Sequence, residues 1–383
     1  MTLKEIAYVS AITLVCAAGC ASQNTVAAES RGAVVAPEQH DLFVSGTEGY
    51  HTFRIPALEI TKKGTLLAFC EGRKAGQGDS GAIDTVLKRS TDNGKTWLPL
   101  QVVAPGGEDT FGNPCPIVDR NSGTIVLLLT KNEGSAREGL IVARKDPPGT
   151  VWITRSTDDG ATWQPPTDIS AQARNPEWGW YATGPCHGIQ LAGGRLVAPC
   201  DHSEGTEDSA WRSHVIYSDD GGASWQLGGS AEGKTDESTV VELDDGSLCL
   251  NMRNHDQNHK RKIARSTDGG LTWSPIAEDP ALLEPVCQAS ILKLPAARKS
   301  SSSSYLFSNP ASEKRMNMSI RVSDDACKTW SEPKTLWPGP AAYSDLVVSA
   351  DKRIGCLYER GKNSAYEVIT MAMFTQEWLR EGP

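Results

Sequence analysis

The chain has 383 residues, a formal net charge of −9 and ten cysteines. It contains no basic stripe, which argues against nucleic-acid binding because phosphate recognition needs clustered lysine and arginine. The cysteines are scattered and never form a Cys-x-x-Cys pair, so zinc-ribbon and thioredoxin-like sites are excluded.

The N-terminus has the pattern of an export signal. Lys4 precedes an apolar stretch, residues 6–18, that is too short to span a bilayer as a permanent helix. The sequence from Ala17 to Cys20 resembles a bacterial lipobox, in which Cys20 carries a lipid and begins the mature protein. We therefore expect a signal peptide over residues 1–20, of the lipoprotein type or simply cleaved. The expected location is the periplasm, the outer membrane through that lipid, or the exterior.

The rest of the chain divides into a short tether and one folded domain. Residues 21–39 are small and polar and predict a flexible tether. Residues 40–383 show no break in composition large enough for a second domain. The serine-rich run from Lys299 to Ser304 is the best candidate for an internal linker, but strand-like sequence follows it, which favours a surface loop.

One phrase, Ser-x-Asp-x-Gly-x-Thr-Trp, occurs five times, and we name each copy an Asp-box. The intervals between successive copies are 66, 62, 48 and 57 residues, which is typical of a repeat architecture. The third copy has Ser224 in place of threonine, and the fifth has Cys327 in place of glycine. The copies begin at Ser90, Ser156, Ser218, Ser266 and Ser323.

The residues of the Asp-box predict a turn between two short strands. Asp and Ser side chains accept hydrogen bonds from backbone amides, Gly supplies a positive φ, and Trp closes the gap beneath the turn. Strand-like segments such as residues 215–217 precede the copies. A unit of roughly 50–60 residues with about four strands is the size of a propeller blade. We expect an all-β fold, a six-bladed β-propeller of four-stranded antiparallel blades.

Between the Asp-boxes lie charged and aromatic residues that the turns do not need. The phrase Phe-Arg-Ile-Pro at residues 53–56 places Arg54 inside an apolar, strand-like segment that ends in a proline. A glycine-rich loop with Arg73 and Asp79 follows. Further along the chain, the residues of this kind are Asn113, Glu237, Arg253, Arg315, Tyr343 and Glu359.

The Phe-Arg-Ile-Pro phrase, the five Asp-boxes and the order of these residues between them resemble the sialidase (neuraminidase) family, in particular the bacterial and lysosomal-type exo-α-sialidases. The resemblance extends from Val44 to Leu379. It implies a six-bladed propeller, in agreement with the repeat spacing, and a glycoside hydrolase whose mechanism requires no metal or cofactor.

The resemblance also implies substrate-binding roles. Arg54, Arg253 and Arg315 match the three arginines that bind the carboxylate of sialic acid, and Glu359 matches the acid that orients the first of them. Two further residues match sugar contacts, namely Arg73 and Asn113.

For the reaction itself, the resemblance implies that Asp79 is the general acid/base, Tyr343 the nucleophile and Glu237 the carboxylate that takes its proton. Several planar guanidinium groups together fix the orientation of a carboxylate. Because that carboxylate sits on the anomeric carbon, a neutral tyrosine avoids the repulsion that an Asp or Glu nucleophile would meet. A tyrosine of ordinary pKa, about 10, needs a base. Asp79 would protonate the leaving oxygen and then deprotonate water, which gives net retention.

Other residues of the same types compete for these roles. Asp84 is near Asp79 but lies in a strand-like segment, where a mobile acid/base is not expected. Tyr358 sits in an apolar strand typical of a core, and Tyr366 follows Glu359, out of the family's order, so both are weaker nucleophile candidates. The competitors for the base are Glu232 and Glu242.

Two motifs resemble metal sites. His255 and His259 are spaced as on a zinc-protease helix, but their polar surroundings predict a surface loop. Cys200-Asp201-His202 has the residue types of a metal site without a second cluster to complete it. His202 and the aromatic run at residues 178–181 are candidates for lining the sugar pocket instead.

Cys186 and Cys200 flank a predicted hairpin that turns at residues 192–194, so they are candidates for a cross-strand disulfide. The alternative for the cysteines in general is that they are small buried side chains.

We therefore expect an exported, monomeric, retaining exo-α-sialidase that acts on sialylated glycans, glycoproteins or glycolipids. Nucleic acid is not expected as a partner, and a membrane only through a lipid at Cys20. One alternative is a trans-sialidase or an anhydro-forming enzyme, which differs in how water reaches the intermediate. The other is a sialoglycan-binding propeller without catalysis, which would lack a reacting group; none is missing from the sequence.

Overall fold

The computed structural model describes residues 35–207, 210–256, 258–294 and 302–381. The predicted signal peptide, most of the predicted tether and the start of the serine-rich run lie outside these residues. Strand β1 (Glu38–Val44) begins two residues before the predicted domain boundary. The described chain is all-β, with strands joined by turns and three short helices.

The largest sheet has eight strands in two groups of four. Within each group the strands pair antiparallel in chain order, and one parallel bridge between Ile83 and Thr110 joins the groups. Its strands are β2 (Thr52–Ile60), β3 (Leu66–Arg73), β4 (Ile83–Ser90), β5 (Gln101–Ala104), β6 (Thr110–Val118), β7 (Ile125–Asn132), β8 (Thr150–Ser156) and β9 (Thr167–Asp168).

Two smaller sheets follow along the chain. The first contains β10 (Tyr181–Thr183), β11 (Ile189–Gln190), β12 (Leu196–Ser203), β13 (Trp211–Ser218) and β14 (Gln226–Ser230). The second contains β15 (Thr235–Glu242), β16 (Leu248–Asn254), β17 (Lys260–Ser266) and β18 (Ala277–Leu283).

The last sheet has seven strands and includes the first strand of the described chain. Its other members are β19 (Ser290–Leu294), β20 (Ser304–Pro310), β21 (Met316–Ser323), β22 (Lys334–Val348), β23 (Ile354–Arg360) and β24 (Val368–Phe374). The long strand β22 pairs with β21 through its first half and with β23 through its second half. Strand β1 pairs antiparallel with β24, so the two ends of the described chain meet in one sheet.

The helices are α1 (Glu138–Val142), α2 (Ser170–Ala173) and α3 (Gln376–Arg380). Among the described residues, no helix is both long and apolar enough to cross a membrane.

The core consists of apolar side chains that face one another between neighbouring sheets. Val126 and Leu128 of β7, for example, are in one buried cluster with Leu196 and Ala198 of β12. These strands are rich in aliphatic residues and buried on both faces, as expected where sheets stack on each other. Tyr358 is fully buried, which confirms its predicted place in the core.

All five Asp-boxes form the predicted turns, each between two consecutive strands that pair antiparallel. In the second copy, Ser156 Oγ accepts a hydrogen bond from the Gly160 amide at 2.9 Å. Asp158 accepts one from the Thr162 amide at 2.9 Å, and the Trp163 indole donates to the Gly160 carbonyl at 3.2 Å. The turn is therefore closed by its own side chains.

The fifth copy keeps this geometry without its glycine. Cys327 adopts a φ of 59°, and its amide donates to Ser323 Oγ at 3.0 Å. A left-handed conformation is unfavourable for a residue with a Cβ, so the hydrogen bonds of the turn hold Cys327 in it.

The predicted pairing of Cys186 with Cys200 is wrong. The hairpin at residues 192–194 exists, because β11 pairs with β12, but Cys200 lies opposite Thr183 of β10. Each of the eight cysteines in the described part of the chain is buried and free.

Candidate active site

Four of the predicted site residues lie at irregularities in the strands β2, β6, β15 and β22. The register of pairing shifts between Arg54 and residue 57 of β2, and around Asn113 in β6. It also shifts around Glu237 in β15 and Tyr343 in β22. A bulge turns a side chain away from the regular alternation of a strand. These bulges therefore aim the predicted site residues out of the sheets.

The Phe-Arg-Ile-Pro phrase forms the first of these bulges. Ile55 has a φ of 61°, a rare conformation for a β-branched residue. Its amide donates to Glu359 Oε1 at 2.9 Å. The same carboxylate accepts from Arg54 Nε at 3.1 Å and from the Tyr343 amide at 3.1 Å. One buried carboxylate thus holds both the arginine and the backbone that carries the tyrosine.

The tyrosine hydroxyl lies against a carboxylate and an arginine. Tyr343 Oη donates a short hydrogen bond to Glu237 Oε1. Arg253 Nη1 donates to Glu237 Oε2 at 2.8 Å and lies 3.3 Å from Tyr343 Oη. Burial and the charge of Glu237 raise the pKa of Tyr343 well above its usual range, although Arg253 and Arg315 oppose the shift. Burial also raises the pKa of Glu237. In the resting site the shared proton therefore resides on the tyrosine.

The three predicted carboxylate-binding arginines surround this tyrosine. The guanidinium carbons of Arg54 and Arg315 lie 5.1 and 5.5 Å from the centre of the Tyr343 ring. Arg253 approaches the hydroxyl end, as described above. Arg315 Nη1 donates to Tyr366 Oη at 2.8 Å, and the Tyr366 ring lies 4.2 Å from the guanidinium carbon of Arg54. The structure thus brings these cationic groups together at one site.

Asp79 lies beside Arg54, on the loop between β3 and β4. Its carboxylate is 2.7 Å from Arg73 Nη1 and 3.5 Å from Arg54 Nη1, and 62% of its side chain is exposed. Arg73 is itself buried and is held by Glu71 Oε2 at 2.6 Å. Glu71 Oε1 accepts from the Asn113 amide at 2.9 Å. Glu71 therefore links Arg73 and Asn113 as Glu359 links Arg54 and Tyr343.

A cleft with about 480 Å³ of empty space opens beside Asp79. Trp180 of the aromatic run at residues 178–181 lines it together with Asp79. The other members do not reach the cleft, because Trp178, Tyr181 and His202 are buried, with the Trp178 ring stacked on His202 at 3.6 Å. The prediction that they line the sugar pocket is wrong.

The competing residues have other partners. Asp84 is buried in β4 and accepts hydrogen bonds from Tyr50 Oη at 2.8 Å and from Lys74 Nζ at 2.9 Å. Glu242 accepts from the Ala192 amide at 2.9 Å, at the far end of β15 from Glu237. Neither carboxylate contacts Tyr343 or Asp79.

The two histidines of the apparent zinc motif also have separate partners. His255 Nε2 lies 2.7 Å from Asp236 Oδ2, whereas His259 Nδ1 lies 3.0 Å from the Glu284 carbonyl. In the part of the chain that the structure describes, no group of three or more His, Cys, Asp or Glu is arranged to hold a metal ion.

Sequence reasoning missed the residues that support the site from behind. Asp236 lies 3.5 Å from Arg253 Nε and pairs with His255, whose ring contacts Trp211. Glu71 and Tyr366 have the supporting roles described above. The one available signal was adjacency, since Asp236 directly precedes Glu237 in the sequence.

Comparison with known proteins agrees with this geometry. Residues 64–356 match the family described as a BNR repeat-like domain. The chain is 35% identical to a sialidase of Micromonospora viridifaciens over 89% of its own length, although it spans only 54% of that relative. It is 32% identical to an exo-alpha-sialidase of Arthroderma benhamiae over 90% of its own length and 88% of that relative.

Among solved structures, the Hadza microbial sialidase Hz136 superposes with a TM-score of 0.80 at 28% identity. The match covers 88% of this chain and 68% of that one. The residues around Tyr343, the five Asp-boxes and these matches lead to one conclusion: the chain belongs to the sialidase family of glycoside hydrolases.

Proposed function

We propose that this protein is a retaining exo-α-sialidase that hydrolyses terminal sialic acid from glycoconjugates through a tyrosyl-enzyme intermediate. The observation that carries the proposal is the contact of Tyr343 Oη with Glu237 beneath the guanidinium groups of Arg54, Arg253 and Arg315. A buried tyrosine among three arginines suits a substrate whose reacting carbon bears a carboxylate.

In this mechanism the arginines bind the carboxylate of the sugar. Arg54 is steadied by Glu359 and Arg253 by Glu237, so two of the three are already paired on one side. Pairing reduces the mutual repulsion of the guanidinium groups and lowers the cost of ordering them when substrate binds. Arg73 and Asn113 extend the site toward the rest of the sugar.

Tyr343 then attacks the anomeric carbon while Glu237 takes its proton. The raised pKa of Tyr343 makes the free phenolate unfavourable, so proton transfer must accompany the attack. Asp79 protonates the leaving oxygen and in the second step deprotonates water. Its exposed position on a loop is suited to both tasks, because the leaving group and the water must reach it from solvent.

The architecture that best fits this function is a six-bladed propeller. The eight-stranded sheet contains two groups of four, and the two halves of β22 divide the seven-stranded sheet into two further groups. With the two smaller sheets, this makes six units. Their first strands, including β2, β6, β15 and the second half of β22, carry Arg54, Asn113, Glu237 and Tyr343 and would surround a central axis.

We further propose that the protein is exported and acts as a monomer on sialylated glycans, glycoproteins or glycolipids. The proposal of export rests on the signal-like residues 1–20 and on Cys20 as a lipid attachment site. Metabolic labelling with a palmitate analogue tests the anchor. We expect the wild type to incorporate the palmitate analogue and Cys20→Ala not to incorporate it. A wild type that incorporates none contradicts the lipoprotein proposal.

The test of the mechanism is Tyr343→Phe, assayed with an aryl sialoside. We expect turnover to fall by about a thousandfold or more, because the nucleophile is lost, while the unfolding temperature changes little. Tyr358→Phe is the matched control, since that tyrosine is equally buried and its hydroxyl contacts Gln39 outside the site. Tyr343→Phe with unchanged turnover contradicts the proposed nucleophile.

Product analysis by NMR on 2,3- and 2,6-linked sialosides completes the test. Initial release of the α-anomer of sialic acid is the result expected for hydrolysis with retention. Initial release of the β-anomer contradicts retention, and an anhydro or transfer product contradicts hydrolysis.

A further inference from the structure

Each Asp-box packs its glycine position against the preceding group of strands. In the second copy, a Cβ built on Gly160 lies 3.1 Å from Leu67 Cδ2 of β3. In the third copy, a Cβ built on Gly222 lies 2.9 Å from Val126 Cγ2 of β7. The turn is therefore in direct contact with an aliphatic side chain of its neighbour at this position.

Leu67 and Val126 occupy equivalent places in their groups. Leu67 lies opposite Arg89 on the next strand, and Val126 lies opposite Arg155 in the same way. Each arginine donates a hydrogen bond to a backbone carbonyl of the Asp-box that follows. The contact between groups thus combines an aliphatic residue, an arginine and the glycine of the turn.

At the fifth Asp-box, cysteines occupy both the place of the aliphatic residue and the place of the glycine. Cys249 of β16 lies opposite Arg265, the position that Leu67 and Val126 hold in their groups. Arg265 Nη2 donates to the carbonyls of Ala326 at 2.9 Å and Cys327 at 3.2 Å. Cys249 therefore stands in the aliphatic place and Cys327 in the glycine place of the same contact.

The two thiols meet in one buried cluster between β16 and the turn after β21. Each thiol shifts the pKa of the other, which lowers the pKa of Cys249 and raises that of Cys327. Cys249 is fully buried, whereas Cys327 is 5% exposed at the turn. Access of an oxidant to the pair would therefore be through Cys327, the thiol nearer to solvent.

We propose that Cys249 and Cys327 are a redox-active pair that forms a disulfide between two neighbouring groups of strands. A low-molecular-weight disulfide is the oxidant. One cysteine thiolate attacks it, releases one equivalent of small thiol and forms a mixed disulfide. The second thiolate then attacks the protein sulfur, releases the second equivalent and closes the bond. Two protein thiols and one small disulfide give one protein disulfide and two small thiols.

The bond would join a strand of one group to the Asp-box of the next, at the copy that lacks its glycine. A cross-link between residues 249 and 327 restricts the unfolded chain and so stabilises the folded one. It would also hold Cys327 in the left-handed conformation. This inference does not depend on the proposed enzymatic activity.

The experiment is to equilibrate the purified full chain with oxidised and reduced glutathione, quench with acid, alkylate and map peptides without reduction. In the oxidised samples we expect a peptide that links Cys249 to Cys327, and an unfolding temperature higher by about 5 °C than after reduction. If the oxidised protein retains alkylated Cys249 and Cys327 at every glutathione ratio, the proposal is overturned. A cross-link between other cysteines has the same consequence.

Variants separate this pair from the remaining thiols. Cys327→Gly restores the residue of the other Asp-boxes and should abolish both the linked peptide and the temperature shift, as should Cys249→Ser. Cys356→Ser is the matched control, because that thiol is equally buried in β23, and it should leave both readouts unchanged. The peptide map of the wild type tests the proposal without any variant. The proposal can therefore still be tested if a variant fails to fold.

Discussion

At the scale of single residues, the site depends on buried carboxylates that each serve several partners. Glu359 accepts from Arg54 and from the amides of Ile55 and Tyr343. Glu237 accepts from Tyr343 and Arg253. A buried charge is tolerated only when it is paired and hydrogen-bonded. The same contacts that satisfy these carboxylates therefore fix the positions of the groups proposed to react.

The charge of Asp236 is expected to affect the pH dependence of kcat/KM through its effect on Glu237. Burial raises the pKa of Glu237 and the nearby charge of Asp236 raises it further, while Arg253 lowers it. If Glu237 must be ionised to accept the tyrosine proton, kcat/KM falls as pH drops through this raised pKa. Asp236→Asn removes one cause of the shift, so we expect the acid limb of kcat/KM to move to lower pH.

The measurement is a pH profile of kcat/KM for Asp236→Asn and the wild type. Asn retains the shape of the side chain but not its charge, and Asp84→Asn is a control that changes a buried aspartate outside the site. An acid limb that stays in place or moves to higher pH contradicts the role given to Glu237.

At the scale of elements, the Asp-boxes and the bulged strands have separate tasks. The Asp-boxes close turns through their own side chains and carry none of the proposed reacting groups. The bulges in β2, β6, β15 and β22 lie at four of the proposed site residues, namely Arg54, Asn113, Glu237 and Tyr343. We therefore expect substitutions in the turns to change stability and substitutions in the bulges to change activity.

Ser156→Ala tests this separation. It leaves the buried amide of Gly160 without its acceptor and removes a hydrogen bond to Asp158, so we expect the free energy of unfolding to fall by about 1–3 kcal/mol. Turnover per folded molecule should be unchanged. Urea unfolding and an activity assay are the measurements.

The control for this turn is Thr162→Ser, because the third Asp-box has Ser224 at that place and its hydroxyl makes the same bond to Asp220. We expect it to be nearly neutral. A drop in turnover for Ser156→Ala without a loss of stability contradicts the separation.

At the scale of the whole molecule, stability depends on the pairing of β1 with β24 and on polar groups that are buried within the sheets. Phe43 of β1 is fully buried against Phe53 of β2, at 5.4 Å between ring centres, so the first strand also packs on the next sheet.

His202 and His214 are buried together, with their Nδ1 atoms 2.9 Å apart. These histidines make stability dependent on pH.

Burial lowers the pKa of His202 to about 3, and it also lowers the pKa of His214. The unfolded chain binds protons at these histidines below a pH of about 6.5, but the folded protein does not. Stability from His202 is therefore fully present above that pH and is lost as pH falls toward 3. At pH 5 the loss amounts to about 2 kcal/mol.

Buried acids act in the opposite direction, because burial raises the pKa of Glu59 to about 7. A comparison of variants isolates the histidine. We expect the difference in unfolding free energy between wild type and His202→Asn to shrink by about 2 kcal/mol from pH 7 to pH 5. Urea unfolding at both pH values measures it. A difference that stays constant contradicts the proposed cause.

Those features of this protein that depend on local contacts or on residue order could be predicted from the sequence. The side chains of an Asp-box bond to the backbone of the same eight residues, so the turn is closed by local hydrogen bonds. The apolar strand around Tyr358 predicted its burial, and the family order of Arg54, Asp79, Glu237 and Tyr343 located residues that do meet in space.

The failures arose where contacts join distant parts of the chain. The residue opposite Cys200 is Thr183 on another strand, which hairpin spacing alone did not indicate. His202 points into the core rather than the cleft because Trp178 stacks on it. Neither outcome is visible in the local pattern, since each depends on the side of a strand that a neighbouring element covers.

The sequence by itself determined the all-β character, the five turns and the family, because each of these depends on short-range hydrogen bonds or on residue order. Only the tertiary structure decided that Glu71 holds Asn113, that Asp236 lies beside Arg253, and that Cys249 meets Cys327 in one buried cluster. Those contacts join residues on different strands and turns. Their geometry comes from bulges and sheet packing, which no local pattern encodes.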